Sequence, residues 1–265
     1  MNYREYFKNC RDKFEGPDVS FEDFYEKPFI QIPTNSFSTQ YSKNINYISS
    51  EVKKFFENFE SDEILLNYPS FLDFDKELNQ IADEMCDWLS NNVYGCYVYV
   101  DKVYIYRTKK MKKRKSSYRW HYDNNPQEIR KNIIYLTDVG ELNSPFEYLA
   151  KPNGEGLLME STRTGPDNWK DAPNGSRIDK EVKKLIKKEG HYPQKFIAPK
   201  GSIGSFINDI AHRANPVLEG YRDVVNIRVK PAMEKPTRYI DEKWTGDTSS
   251  SGVVNPDPLV SWNTA

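Results

Sequence analysis

Cysteine is scarce in this chain: Cys10, Cys86 and Cys96 are an odd set of three with no CxxC pair. That argues against a disulfide framework or a cysteine zinc site and points to reduced thiols in a cytoplasmic setting. Long apolar runs are missing, and none approaches the roughly 18 residues needed to cross a bilayer. The opening MNYREYFKNCRDKF is charged throughout and has no apolar stretch of the secretory kind, so the expectation is a cytoplasmic protein. Net charge is also lacking, with 38 Lys and Arg against 39 Asp and Glu giving -1. No global pull toward nucleic acid or a membrane surface follows from that balance. Neither an internal repeat nor a clear domain linker is visible. Histidine is rare too, with three in the chain.

What is present can build a core. The 265 residues are 37% hydrophobic and 14% aromatic, with 18 Tyr and 14 Phe, a composition that folds rather than one that stays disordered. In ISSEVKKFFENFE, Val52, Phe55, Phe56 and Phe59 fall on one helical face behind a serine cap. In FDKELNQIADEMCDWL, Leu78, Ile81, Ala82, Met85 and Leu89 repeat at helical spacing. Such stripes are core packing and carry no chemistry. From Gly95 the pattern changes to short β-branched and aromatic runs: CYVYVDKVYIY, YRWHYD, NIIYLTDV, PFEYLA, GLLME, KFIAP, SIGSFIN and RDVVNIRV. Turn residues separate them, and helices do not alternate with them. A sandwich or barrel is expected, not a parallel α/β sheet. DKEVKKLIKKEG interrupts the series as an amphipathic helix with Asp179 as cap and Gly190 as stop.

Two of the three histidines stand in a pattern that suits a metal. His121 and Asp123 form H-x-D in RWHYDNNP, and residues i and i+2 of a strand share a face, so both can reach one ion. His212, in INDIAHRANP, follows 89 residues after Asp123. Two imidazoles and a carboxylate on one triangular face leave three positions open, as a non-heme Fe(II) oxygenase requires. Arg222 comes ten residues after His212. Its guanidinium can grip a carboxylate through two parallel hydrogen bonds. An isolated H-x-D arises by chance in many chains; the ordered set is far more selective.

WHYDNNP, NIIYLTDVGELNSPFEYL, APKGSIGSFINDIAHRANP and YRDVVNIRV together resemble the Fe(II)/2-oxoglutarate-dependent dioxygenases. The likeness is to the phytanoyl-CoA-dioxygenase-like and prolyl-hydroxylase-like branches and covers roughly residues 95–230. It implies an α+β fold with a double-stranded β-helix (jelly roll) core buttressed by N-terminal helices. It implies that His121, Asp123 and His212 bind Fe(II), that Arg222 binds the distal carboxylate of 2-oxoglutarate, and that O2 is the co-reactant. Arg228 lies on the same strand face and is the rival for Arg222; family spacing favours Arg222. Tyr106 sits where a second 2-oxoglutarate contact often comes from, while it and Tyr104 would serve equally as barrel-filling aromatics. Asp123 is intact, whereas halogenases of the superfamily carry Gly or Ala there, so oxygen insertion or desaturation is the expected outcome. SPFEYLAKPNGEG lacks the Pro-Gly-Ser-His run of many phytanoyl-type members. The implied layout is a single domain: helical support over 1–92, a catalytic core over 93–230 with a lid-like insertion at 161–190, and an extended tail over 231–265.

RTKKMKKRK, residues 107–115, holds seven Lys or Arg in nine positions just before H-x-D. It is either a solvated hairpin loop or a flap that attracts an anionic partner: a charged small molecule, a carrier domain or, against the overall charge balance, nucleic acid. In the insertion, Trp169 and the lysines 183, 184, 187 and 188 suit a second lid or simply a wet helix face. The expected function is hydroxylation of a small, anionic metabolite with release of succinate and CO2. A peptidyl hydroxylase and a nonenzymatic jelly-roll binding protein are the alternatives.

Overall fold

Helix and strand boundaries follow the apolar periodicities. The computed structural model describes residues 2–59, 65–110, 118–165, 168–172 and 175–240, and the backbone of 252–253. The first elements are α1 (Tyr3–Arg11), α2 (Phe21–Glu26), β1 (Phe29–Ile32), α3 (Thr39–Glu57), β2 (Leu65–Asn67), α4 (Asp75–Leu89) and β3 (Tyr97–Lys109). Then come β4 (Arg130–Tyr135), β5 (Phe146–Ala150), β6 (Arg163–Gly165), β7 (Asn168–Trp169), α5 (Asp179–Glu189), β8 (Tyr192–Phe196), β9 (Ile203–Ile207), β10 (His212–Ala214), β11 (Tyr221–Ala232) and β12 (Gly252–Val253). Among the described residues no helix is long and apolar enough to cross a membrane.

α4 buries all five residues of its predicted stripe. α3 begins at Thr39, well ahead of the predicted serine cap, because Tyr41, Ile45 and Ile48 extend the apolar face toward the N-terminus. Phe59 falls beyond that helix and stacks, exposed, on Phe55. A capping box of Asn2 and Glu5 starts α1.

The core strands form two antiparallel sheets, the larger in the order β1-β9-β4-β11-β3-β12 with β2 also on β3, the smaller β10-β5-β8, while β6 and β7 pair as a separate two-stranded sheet. The chain crosses between them repeatedly: β4 large, β5 and β8 small, β9 large, β10 small, β11 large. This is the expected jelly roll, two sheets without a closed barrel. Ile133, Tyr135, Phe146, Phe196, Phe206 and Val224 fill the space between the sheets. The opposite face of the large sheet packs its Val98, Val100, Ile134, Val225 and Ile227 against the stripes of α1, α3 and α4.

Three sequence expectations need correction. YRWHYD is no regular strand: His121 makes isolated bridges to His212 and Arg177, and the ladder stops there. GLLME makes isolated bridges at Gly156 and Leu158 only. Asp179 is the first residue of α5 and not its cap, a position held by Ile178; its carboxylate is drawn instead to Arg119 and the Trp120 amide. Gly190 does stop the helix, at φ 72°. The first part of the tail is strapped to α4, where Asn79 exchanges two 2.9 Å hydrogen bonds with the backbone of Ile240. The rest of the tail, apart from β12, lies outside the described residues.

Candidate metal centre and its cleft

Although 118–123 lacks a ladder, it keeps the alternation of a strand. Trp120 and Tyr122 turn one way, into a cluster with Ile178 and Val182 of the α5 region. His121 and Asp123 turn the other way, toward the space between the sheets. Hydrogen bonds on both edges hold the segment. His121 N–H donates to His212 O at 2.9 Å and His212 N–H returns to His121 O at 2.8 Å. Asp123 N–H donates to Asn208 O, and on the far side Ile178 N–H donates to Trp120 O. The turn that follows places Asn124 at φ 51°, a conformation asparagine tolerates better than most residues. Its side chain accepts from Thr162 and donates to Lys170 O, tying down the insertion hairpin.

The backbone pairing brings His121, Asp123 and His212 together, with one nitrogen or oxygen from each within 4.8 Å of the others. Each imidazole is committed at its other nitrogen: Nδ1 lies 2.8 Å from Arg119 O in His121 and 2.8 Å from Ile210 O in His212. Carbonyls only accept, so both rings carry the proton on Nδ1 and present the Nε2 lone pair to the centre. Burial holds both imidazoles below their ordinary range, that of His212 at about 3, with neighbouring His121 adding to the effect. Both are therefore neutral, the form that binds a metal. For Asp123, burial alone would favour the acid. The Lys131 ammonium, 2.6 Å away, outweighs it and holds the carboxylate well below its usual range. Two neutral imidazoles and one carboxylate are a donor set that fits a divalent transition metal.

A cavity of about 130 Å³ opens on this centre, walled by Tyr106, Ile133, Phe146, Phe206 and Arg222 among others. It runs on into an outer cavity of about 310 Å³ lined by Tyr104, Thr108 and Tyr118. The two share Tyr106, Lys131, Ala214, Arg222 and Asn226 and so form one cleft. Arg222 is almost fully buried there. Its guanidinium donates to Ser144 O and, at 3.5 Å, to Thr108 Oγ1, while its Nε finds no partner among the described residues. Arg228, the rival, is already occupied: Asp101 accepts from its Nε at 2.8 Å and its Nη2 at 2.5 Å. A larger hollow of about 600 Å³ beside α4, lined by Asp75, Asn79 and Arg238, gathers no comparable donor set.

No family model matches the sequence, and no curated protein matches it. Among solved structures the chain is similar to HygX from Streptomyces hygroscopicus with nickel and 2-oxoglutarate bound. Identity is 15% and the TM-score 0.50, over 91% of this chain and 98% of that one. It is also similar to the epimerase SnoN in complex with Fe3+, alpha ketoglutarate and nogalamycin RO, at 14% identity and TM-score 0.53, over 96% and 97%. At such identities the likeness is one of fold. The chain has the fold of the iron- and 2-oxoglutarate-dependent enzymes.

Within that fold, the structure brings together His121, Asp123, His212, Arg222 and Tyr106 on one cleft, with Tyr104 further out. It removes Arg107 from the basic run. Arg107 is buried, paired twice at 2.7 Å with Asp223, which stands directly across on β11, and stacked on Tyr221. Residues 111–115 of that run lie outside the described residues. Lysines 183, 184, 187 and 188 of α5 are exposed, as a wet face would be. Two residues of the site escaped the sequence reasoning. Lys131 shares a strand face with Ile133 and Tyr135, and a lysine on that apolar stripe was the available signal. Asp209 accepts from Asn125 N–H at 3.0 Å and so fixes the turn after Asp123; no sequence signal marks it.

Proposed function

We propose that the chain is an Fe(II)- and 2-oxoglutarate-dependent oxygenase that hydroxylates an aliphatic C–H of a small, anionic metabolite, releasing succinate and CO2. The observation that carries this is the convergence of two Nε2 lone pairs and one carboxylate on a cleft that also holds a buried arginine with an unused donor. His121, Asp123 and His212 would hold the metal, and Arg222 the distal carboxylate of 2-oxoglutarate, with Tyr106 beside it. Bound there, the metal and cosubstrate supply O2 activation coupled to oxidative decarboxylation. The chain's own work is positional. Arg119 O and Ile210 O fix the imidazole tautomers, and Lys131 holds one oxygen of Asp123, leaving the other for the metal. Ile133, Phe146 and Phe206 give the inner cavity an apolar wall, and Arg222 would orient a dicarboxylate toward the metal.

The epimerase SnoN shares the fold and is described by a different outcome; the intact Asp123 speaks against halogenation, and hydroxylation rests on the product test. The domain layout is part of the proposal: one unit, with the helices as support and the hairpin β6–β7 with α5 as a lid over the H-x-D segment. The test is a metabolite panel scored by succinate release under Fe(II), 2-oxoglutarate and O2, with products identified by mass. Substrate-dependent succinate with a gain of one oxygen supports the assignment. A nonenzymatic binding protein gives no O2 consumption under any condition.

A further inference from the structure

The inner face of the large sheet carries a row of positive charge. Antiparallel register sets Lys102 on β3 directly across from Arg228 on β11, and Arg228 directly across from Lys131 on β4. Like charges facing each other in a sheet are destabilising, so such a row calls for counter-charge. Asp101 supplies part of it. The register shifts between Arg228 and Val229, leaving Asp101 as the unpaired residue of a bulge. From there its carboxylate reaches Arg228 and also Lys230, at 3.0 Å. Asp123 supplies the rest, through Lys131. Lys102 is left over: among the described residues its ammonium makes no ion pair and no hydrogen bond. Burial, with Arg228 alongside, pushes it down to about 8. Four cations, Lys102, Lys131, Arg228 and Lys230, thus face the two carboxylates Asp101 and Asp123. The shortage of negative charge deepens once Asp123 serves a metal.

One end of this row, Lys131, lines both cavities of the cleft. Tyr104 lies one step further along the sheet face, across from Asn226, and lines the outer cavity together with Lys131. Arg222 stands six residues from Arg228 along β11, roughly 20 Å of strand, so it marks a different end of the same face.

We propose that Lys102 and Lys131, with Tyr104 beside them, form a subsite for an oxyanion: the phosphate, sulfate or carboxylate group of the substrate. The proposal rests on the oxygenase assignment for calling that ligand a substrate. A group bound there sits next to Asp123 and leaves Arg222 to the cosubstrate. The anionic character of the substrate then comes from the sheet face at the edge of the cleft and does not need residues 107–115.

Two calorimetric titrations on the full chain separate the two ideas. In the first, 2-oxoglutarate is titrated with Ni(II) in place of Fe(II), and metal-dependent binding is expected. In the second, sulfate is titrated at constant ionic strength, both into the metal-free chain and with Ni(II) and 2-oxoglutarate present to occupy Arg222. Sulfate is expected to bind once per chain, about tenfold weaker in Lys102→Met (a loss near 1.4 kcal/mol) and at near wild-type strength in Lys102→Arg, which keeps the charge. Wild-type protein that takes up no sulfate, or equal affinity in Lys102→Met, overturns the subsite whatever the first titration gives. Lysine-dependent sulfate binding without metal-dependent 2-oxoglutarate binding keeps the anion site and removes the oxygenase assignment.

Discussion

An imidazole becomes a dependable metal ligand once its second nitrogen has a partner, and both His121 and His212 have one in a backbone carbonyl. Replacing His121, Asp123 or His212 with Ala should lower Ni(II) affinity in equilibrium dialysis by more than the 10–100-fold typical of losing an outer partner. Far-UV circular dichroism should stay unchanged; near-normal metal affinity in all three would remove the metal assignment. Arg222→Leu should weaken 2-oxoglutarate binding by about 2 kcal/mol or more, roughly 30-fold. Arg228→Leu should act on stability instead, by about 3 kcal/mol in a denaturant titration, because it strips a buried partner from Asp101. The opposite ranking would move the carboxylate grip to Arg228. Asp209 gives a pH signature in the metal-free chain. Burial, with Asp123 nearby, raises its acid from 3.8 to about 8. The folded chain keeps that proton up to about pH 8 while the unfolded chain gives it up near 4, so this group costs stability as pH rises through that window. Asp209→Asn, which retains the acceptor for Asn125, should raise Tm at pH 8 by about 2 °C or more and converge on wild type near pH 4. A pH-independent difference would place the proton elsewhere. The meeting of the triad and Arg222 on one cleft was legible because their order and spacing are specific. Lys131 and Asp209 were not, since their roles depend on burial and on partners distant in sequence.

At the scale of elements, the H-x-D segment is held by its neighbours more than by any ladder of its own. α5 carries Asp179, whose carboxylate takes Arg119 Nε at 2.7 Å and the Trp120 amide at 3.0 Å, immediately before His121. Asp179→Ala should cost on the order of 1 kcal/mol of stability and several-fold in Ni(II) affinity, whereas Lys183→Ala on the exposed face should change neither. Equal effects of the two would leave α5 without a supporting role. Helix α4 was legible from its stripe to the residue, as was the glycine stop of α5. The misplaced start of α3 has a physical cause: a plausible serine cap inside a longer apolar stripe is overridden when packing continues past it. The H-x-D segment misled for a related reason. Its alternation comes from burial on two faces, and alternation alone does not require a hydrogen-bonded strand.

At the scale of the molecule, strand number and the lack of alternating helices pointed to a sandwich or barrel, and the family resemblance to a jelly roll, while strand order was beyond reach of any local pattern. That order is what matters for function. β10 pairs with β5 and reaches His121, so residues 91 positions apart in the chain share one centre, and β11 carries Arg222 to the same cleft from the opposing sheet. The claim that this assembly is a metal site joined to a dicarboxylate site is tested most directly by anaerobic calorimetry of 2-oxoglutarate against the full chain, with and without Fe(II). One equivalent is predicted to bind tightly with the metal, and much more weakly without it or in Asp123→Ala. Binding that is the same with and without Fe(II), or no binding in either case, would contradict the account.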